Sequence, residues 1–195
     1  MPMSQPTSTV DILAQALLNA NLPKPELKKF DGDVKTWANF YSTFYSQIGG
    51  RAMDPAQKLT LLQQHCTGEA YDIIAPCALL PPSIGYDEAI RTLSERFGSK
   101  HMVAGSYITD LKTGPRVAAN NVEGLLKFAD QLNVAYIVLS QLDYTSDVNS
   151  TDTIGQCVRR LPQHLQTEWV KQAARITLEQ AREPQFYDLV KFVKA

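Results

Sequence analysis

The chain has 195 residues, 44% of them apolar and 20% charged, with ten glycines and eleven prolines. That balance suits a chain that buries a core and excludes a low-complexity one. Nineteen Lys and Arg against twenty Asp and Glu leave a net charge of −1, so no excess positive field exists to neutralise nucleic-acid phosphates or to hold an anionic bilayer. The length accommodates one medium domain or two small ones. Three cysteines, Cys66, Cys77 and Cys157, form an odd, sparse set that fits reduced thiols in the cytoplasm. With no secretory leader and no run of 18 apolar residues, neither export nor a membrane span is expected.

The hydrophobic period is helical nearly throughout. Residues 1–9 are rich in Ser, Thr, Pro and Gln and read as flexible; Val10 to Ala20 reads as a short helix with Ile12, Leu13, Ala16 and Leu17 on one stripe. Leu22-Pro23-Lys24-Pro25-Glu26-Leu27 reads as an extended arm, because each proline lacks an amide donor and biases its predecessor to extended geometry. Asp31-Gly32-Asp33 is a turn whose second aspartate can cap a helix carrying Trp37, Phe40, Tyr41, Phe44, Tyr45 and Ile48 on one face. Gly49-Gly50 ends it. In Asp54-Pro55-Ala56-Gln57, Asp sits at the N-cap and Pro at the first helical position, opening a helix through Leu59, Leu62 and Cys66. Gly68 divides it from a second helix, Glu69 to Ala75. After a loop at Pro76 and Pro81-Pro82, Tyr86 to Phe97 forms a helix with Tyr86, Ile90, Leu93 and Phe97 inward, stopped at Gly98.

Gly98-Ser99-Lys100 is a candidate hinge, since a fresh helical pattern runs from His101 to Leu111 and ends at Thr113-Gly114-Pro115. Asn120 or Asn121 can cap the next helix, with Val122, Leu125, Ala129, Leu132, Tyr136 and Leu139 on its inner face. The run Tyr136 to Leu139 would also suit a strand; length favours the helix. A polar loop, Asp143 to Ser150, precedes a helix from Asp152 to Leu161. There Ile154, Cys157, Val158 and Leu161 face the core, and Asp152, Gln156 and Arg159 face outward. Pro162 restarts a helix containing Leu165 and Trp169, and Phe186 to Val193 closes the chain. No hairpin chemistry is present. The expected architecture is all-α: a flexible terminus and short helix over 1–21, then two small helical domains over 22–98 and 99–195.

No G-x-x-x-x-G-K-[ST], G-x-G-x-x-G, H-E-x-x-H or G-x-S-x-G occurs, which removes the common nucleotide, zinc-protease and α/β-hydrolase readings. Asp152-Thr153-Ile154-Gly155 approaches an aspartic-protease motif, but Ile154 is inserted and the context is a helix start, where Asp152 reads as an N-cap. His65-Cys66 with Cys77 and His101 lacks the paired spacing of structural zinc, and Cys66 reads as core. The Trp37 to Tyr45 stripe lacks the interleaved cations of a single-strand binding groove and also reads as core. Arg159-Arg160 and Lys28-Lys29 read as solvated basic pairs. No catalytic, cofactor or metal site is expected, and hence no enzyme.

Five segments in order carry a family resemblance: Leu22-Pro23-Lys24-Pro25-Glu26-Leu27 with Phe30-Asp31-Gly32-Asp33; Trp37-x-x-Phe40-x-x-x-Phe44; Lys58-Leu59-x-x-Leu62 leading to Gly68-Glu69-Ala70; Tyr86-x-x-Ala89-x-x-x-Leu93-x-x-Arg96-Phe97-Gly98; and Arg160-Leu161-Pro162-x-x-Leu165-x-x-x-Trp169. The first four resemble the Gag capsid region of long-terminal-repeat retrotransposons, and the last is similar to a stretch of Bel/Pao-type Gag proteins. The resemblance implies a capsid protein whose N-terminal domain forms hexamer and pentamer rings. Its C-terminal domain would link the rings through two-fold contacts, giving cytoplasmic virus-like particles that enclose RNA without this segment binding it tightly. Ile108-x-x-Leu111-Lys112-Thr113-Gly114-Pro115 with Val122, Leu126 and Phe128 is reminiscent of the retroviral major homology region. Thr113 stands where that region has Gln, but a turn at Gly114 and a packed helix are expected. The two-fold contact is implied near the helix after this region, which makes Asp152, Gln156 and Arg159 candidate self-association residues. No zinc knuckle follows, as in a truncated piece, a processed capsid or a domesticated relative. The alternative is a domesticated Gag-derived adaptor that binds peptide segments in a groove.

Overall fold

The computed structural model describes residues 26–195. The expected helix Val10 to Ala20, the flexible 1–9 and the Leu22 to Pro25 part of the arm lie outside the described residues. Those residues form an all-α structure whose sole β feature is an isolated bridge between Phe30 and Cys66.

In the first half, α1 (Val34–Phe44) begins where the Asp33 carboxylate accepts the Lys35 amide at 2.9 Å, and it runs on as a π-turn over Tyr45–Gly49. Gly32 before it has φ +109°, a conformation that favours glycine. Next comes α2 (Pro55–Gln64), capped by Asp54, which accepts the amides of Ala56 and Gln57 at 3.1 and 3.4 Å. It is followed by α3 (Gly68–Ile74), a 3₁₀ turn over Ala75–Leu79, and α4 (Pro82–Phe97). Phe30 lies at the centre of this half. Its amide donates to the His65 carbonyl and its carbonyl accepts the Thr67 amide, both at 2.8 Å, so the chain is pinned between α2 and α3. Its ring lies 5.1–5.2 Å from those of Trp37, Phe40 and Phe97. Phe44, Leu62, Ile74 and Leu93 complete this core cluster.

Two details of α4 differ from the sequence expectation. The helix starts at Pro82, four residues earlier, and buries Gly85, Ala89, Leu93 and Phe97, while Tyr86 and Ile90 are half-buried. The reason is close backbone approach: a Cβ on Gly85 would lie 2.6 Å from the Cys77 carbonyl oxygen, so the small-residue face turns inward. Gly98 does end the helix, but at φ −93°. A side chain there would meet the Ser94 oxygen at 2.6 Å and Trp37 Nε1 at 2.8 Å; crowding, and not a left-handed turn, requires the glycine.

The second half contains α5 (Lys100–Thr113), α6 (Val122–Gln141), α7 (Thr145–Val148), α8 (Thr151–Arg160), α9 (Gln163–Gln180) and α10 (Phe186–Lys194). Asn121 caps α6 by accepting the Gly124 amide at 2.8 Å, and Tyr136 to Leu139 is helical. The inner face of α6 is Phe128, Ala129, Leu132, Ala135 and Leu139; Val122 is 70% exposed. Burying the ring of Phe128 outweighs burying the smaller Val122, which rotates the stripe. The polar stretch before α8 holds the short α7, and Ser150 is the N-cap of α8, accepting the Thr153 amide at 3.2 Å. Asp152 sits in the first turn instead. A second core cluster gathers Leu111, Phe128, Leu132, Leu139, Cys157, Trp169 and Phe186, and none of its buried residues belongs to the first. Gly98 and Ser99 join the halves along the chain, and Lys35 of α1 joins them in space by pairing with Asp110 and lying over the Tyr107 ring.

Cys66, Cys77 and Cys157 are free and buried, and burial pushes the thiols of Cys66 and Cys157 up to about 12. An unfolded thiol ionises near pH 8.5. The stability they contribute is therefore complete below that pH and declines as pH rises toward 12. Urea midpoints measured from pH 7 to 10.5 should fall, and Cys66→Ala should flatten part of the decline. Phe40→Ala should destabilise the protein by about 3–5 kcal/mol through lost transfer energy and a cavity, measured by equilibrium unfolding.

Candidate functional site

The helix α8 has two faces with different work. Toward the interior it buries Thr153, Ile154, Cys157 and Arg160. Arg160 is 6% exposed, which corrects the expectation of a solvated basic pair. Its Nη1 donates to the carbonyls of Asp110 at 2.8 Å and Leu111 at 2.9 Å, its Nε to that of Pro115 at 3.2 Å, and its Nη2 to Gln131 Oε1 at 3.1 Å. The first two are among the last carbonyls of α5, which lack helical partners and carry the negative end of the helix dipole. Below, the guanidinium lies 4.3 Å from the Phe128 ring centroid, a cation–π contact. Its own carbonyl accepts the Val117 amide at 2.8 Å. Burial lowers its pKa, yet a guanidinium stays protonated. A Cβ on Gly114 would fall 2.1 Å from Nη2, so the expected turn at Gly114 exists, and the glycine is there to admit the arginine. Neutral acceptors, a helix end and an aromatic face thus surround the guanidinium.

Outward, α8 borders a cavity of about 470 Å³ lined by Ile154, Gly155, Val158, Arg159, Trp169 and Glu183, among others. Gly155 has open space around its missing side chain, although a mid-helix glycine costs about 1 kcal/mol relative to alanine. Arg159 and Glu183 carry opposite charges into the same groove, and neither forms a salt bridge among the described residues. Of the three residues singled out from the sequence, Arg159 is exposed on this groove. Asp152 is exposed at the edge of α8 that faces α5, where Lys112 pairs with it at 2.8 Å and holds its carboxyl below the usual range. Gln156 is half-buried beside Asp152. Glu183 is the residue that sequence reasoning missed: 24 positions separate it from Arg159, and only the packing of α9 and the turn after it brings the two together.

The other chemistry-bearing side chains disperse. His65 Nδ1 lies 2.8 Å from the Leu61 carbonyl oxygen, Cys66 and Cys77 are in the first core cluster, and His101 approaches Tyr144. Among the described residues no three His, Cys, Asp or Glu side chains gather as metal ligands, and no helix is long and apolar enough to cross a membrane.

The chain, all-α with two core clusters among its described residues, is matched over residues 30–177 by the model of the family described as protein of unknown function DUF1759. The match spans about three quarters of the chain, and the protein belongs to that family. The domain is found in retrotransposon Gag-like and polyprotein-like proteins. No curated protein and no solved structure matches the chain.

The two glycine environments give opposite expectations. Gly114→Ala should destabilise strongly, by several kcal/mol, because the methyl group overlaps the guanidinium and forces a buried charge off its acceptors. Gly105→Ala in α5, where nothing lies within 4 Å of the added Cβ, should stabilise by about 0.5–1 kcal/mol. Chemical denaturation of the two variants side by side checks the pair.

Proposed function

We propose that this protein is a structural Gag capsid protein of the Bel/Pao type, built of two small helical domains, that self-assembles into a shell. The role is structural, not catalytic. Rings form through the first half and are linked by a two-fold contact of the second, giving cytoplasmic virus-like particles around the element's RNA. The observation that carries this reading is the α8 groove, with an apolar floor, a glycine that admits a close neighbour, and the opposite charges of Arg159 and Glu183. A two-fold contact is isologous. Arg159 of one copy then meets Glu183 of the other, twice, and the groove is complementary to itself. Membership of a family found in Gag-like proteins supports the same reading. The net charge of −1 leaves this segment little counterion release on RNA, so RNA is enclosed and not tightly held.

The test is a charge swap read by light scattering and electron microscopy. Arg159→Glu places like charges at both symmetry-related contacts and should abolish or alter the particles. Glu183→Arg should do the same, and the double variant should restore them. Since both side chains point away from the core, stability should change by about 0.5 kcal/mol or less. Normal particles from both single variants would remove the contact from α8.

A further inference from the structure

Arg160 has five N–H groups, and four are taken by Pro115, Asp110, Leu111 and Gln131. The fifth, on Nη2, has no acceptor among the described residues. No carboxylate bonds to the guanidinium either. Asp110 is the one acidic residue lining the cavity beside Arg160, and its carboxylate is paired with Lys35 of α1. A buried cation held only by neutral acceptors keeps a large share of its desolvation cost. The cavity measures about 360 Å³, within the roughly 300–1,000 Å³ of small-molecule sites. Buried Phe128 and Arg160 form its floor, and Arg116 and Lys127 stand exposed at its rim. Arg116 forms no salt bridge among the described residues. Lys127 pairs only with Glu123, an exposed i,i+4 contact of a kind worth a few tenths of a kcal/mol. Asn121, also on the rim, has its Oδ1 held by the Gly124 amide, which leaves its NH₂ as a donor.

We infer that this cavity is a binding site for a terminal phosphate group, one oxygen of which accepts the fifth N–H of Arg160 while Arg116 and Lys127 supply the opposing charge at the rim. A monoester or free phosphate presents three or more oxygens on one side and suits an open cavity with a guanidinium at its base. An internal phosphodiester of RNA, flanked by two sugars, does not reach a group that is 6% exposed. The site lies on the α5–α6 side of Arg160, away from the α8 groove, and does not depend on assembly.

Calorimetric titration of the full chain with sodium pyrophosphate, at fixed ionic strength, tests the site. Saturable binding of one pyrophosphate per chain is expected. The variant carrying Arg116→Gln and Lys127→Gln should bind roughly tenfold more weakly or less still, with its ligand-free melting temperature unchanged, since both side chains are on the surface. Arg159→Gln, on the other groove, should leave the affinity as it is. Orthophosphate that competes with pyrophosphate identifies free phosphate as sufficient, whereas competition by a short RNA lacking terminal phosphates overturns the terminal-phosphate assignment. Absence of saturable binding, or equal affinity in the double variant, overturns the site.

Discussion

A guanidinium withdrawn from water must have its charge and its donors answered by the protein, and Arg160 imposes that demand on the whole second half of the chain. Its acceptors come from the end of α5, from Pro115 in the following turn and from Gln131 on α6, with the Phe128 ring beneath. Three separate segments are thereby fixed relative to α8. The requirement propagates to sequence: position 114 can hold no side chain, and Pro115 to Val117 is drawn alongside, with the Val117 amide closing on the arginine's own carbonyl. Because Arg160 points inward one residue after Arg159, the same anchoring fixes which face of α8 looks outward. The groove between Ile154, Val158 and Trp169 is the geometric consequence.

The first half obeys a different constraint, apolar instead of ionic. Phe30 is held by two backbone hydrogen bonds between α2 and α3 while three aromatic rings close around it. Glu69 of α3 and Arg96 of α4 pair at 2.8 Å on the outside of that packing; both are exposed, so the pair adds little beside the rings. Lys35 connects the two regimes. It leaves α1, crosses the Tyr107 ring and pairs with Asp110, whose backbone carbonyl accepts from Arg160. The cation that links the halves thus pairs with the acidic residue nearest the buried arginine, which still acts on Arg160 through space.

Local chemistry was readable in the sequence, and tertiary chemistry was not. Asp33, Asp54 and Asn121 cap their helices as their side chains and neighbours suggest, because a cap is completed within three residues. The all-helical architecture follows from apolar spacing for the same reason. Asp152 reads as a cap from its neighbours, but Ser150, two residues earlier, offers the hydroxyl that caps α8. In α4 and α6 the spacing places Leu93, Phe97, Ala129, Leu132 and Leu139 inward as found, but it does not say that Gly85 must admit the Cys77 carbonyl or that Phe128 must floor an arginine. Arg160 itself carries no local sign of burial. An Arg-Arg pair at a helix end looks solvated, and its acceptors lie 29 to 50 residues away. Of the candidate site, Arg159 was visible on the outward face, whereas Glu183 and the Gly155 floor needed the fold.

The claim that matters most is that the outward side of α8 is where one copy meets another, while the Arg160 side takes no part in that contact. Hydrogen exchange of the intact protein, compared between dilute and concentrated solution, separates these directly. Peptides covering residues 151–160 and 183–184 should become more protected as concentration rises, and those covering 110–117 should exchange equally slowly at both. Protection that rises instead along the exposed side of α6, or nowhere at all, would contradict the account.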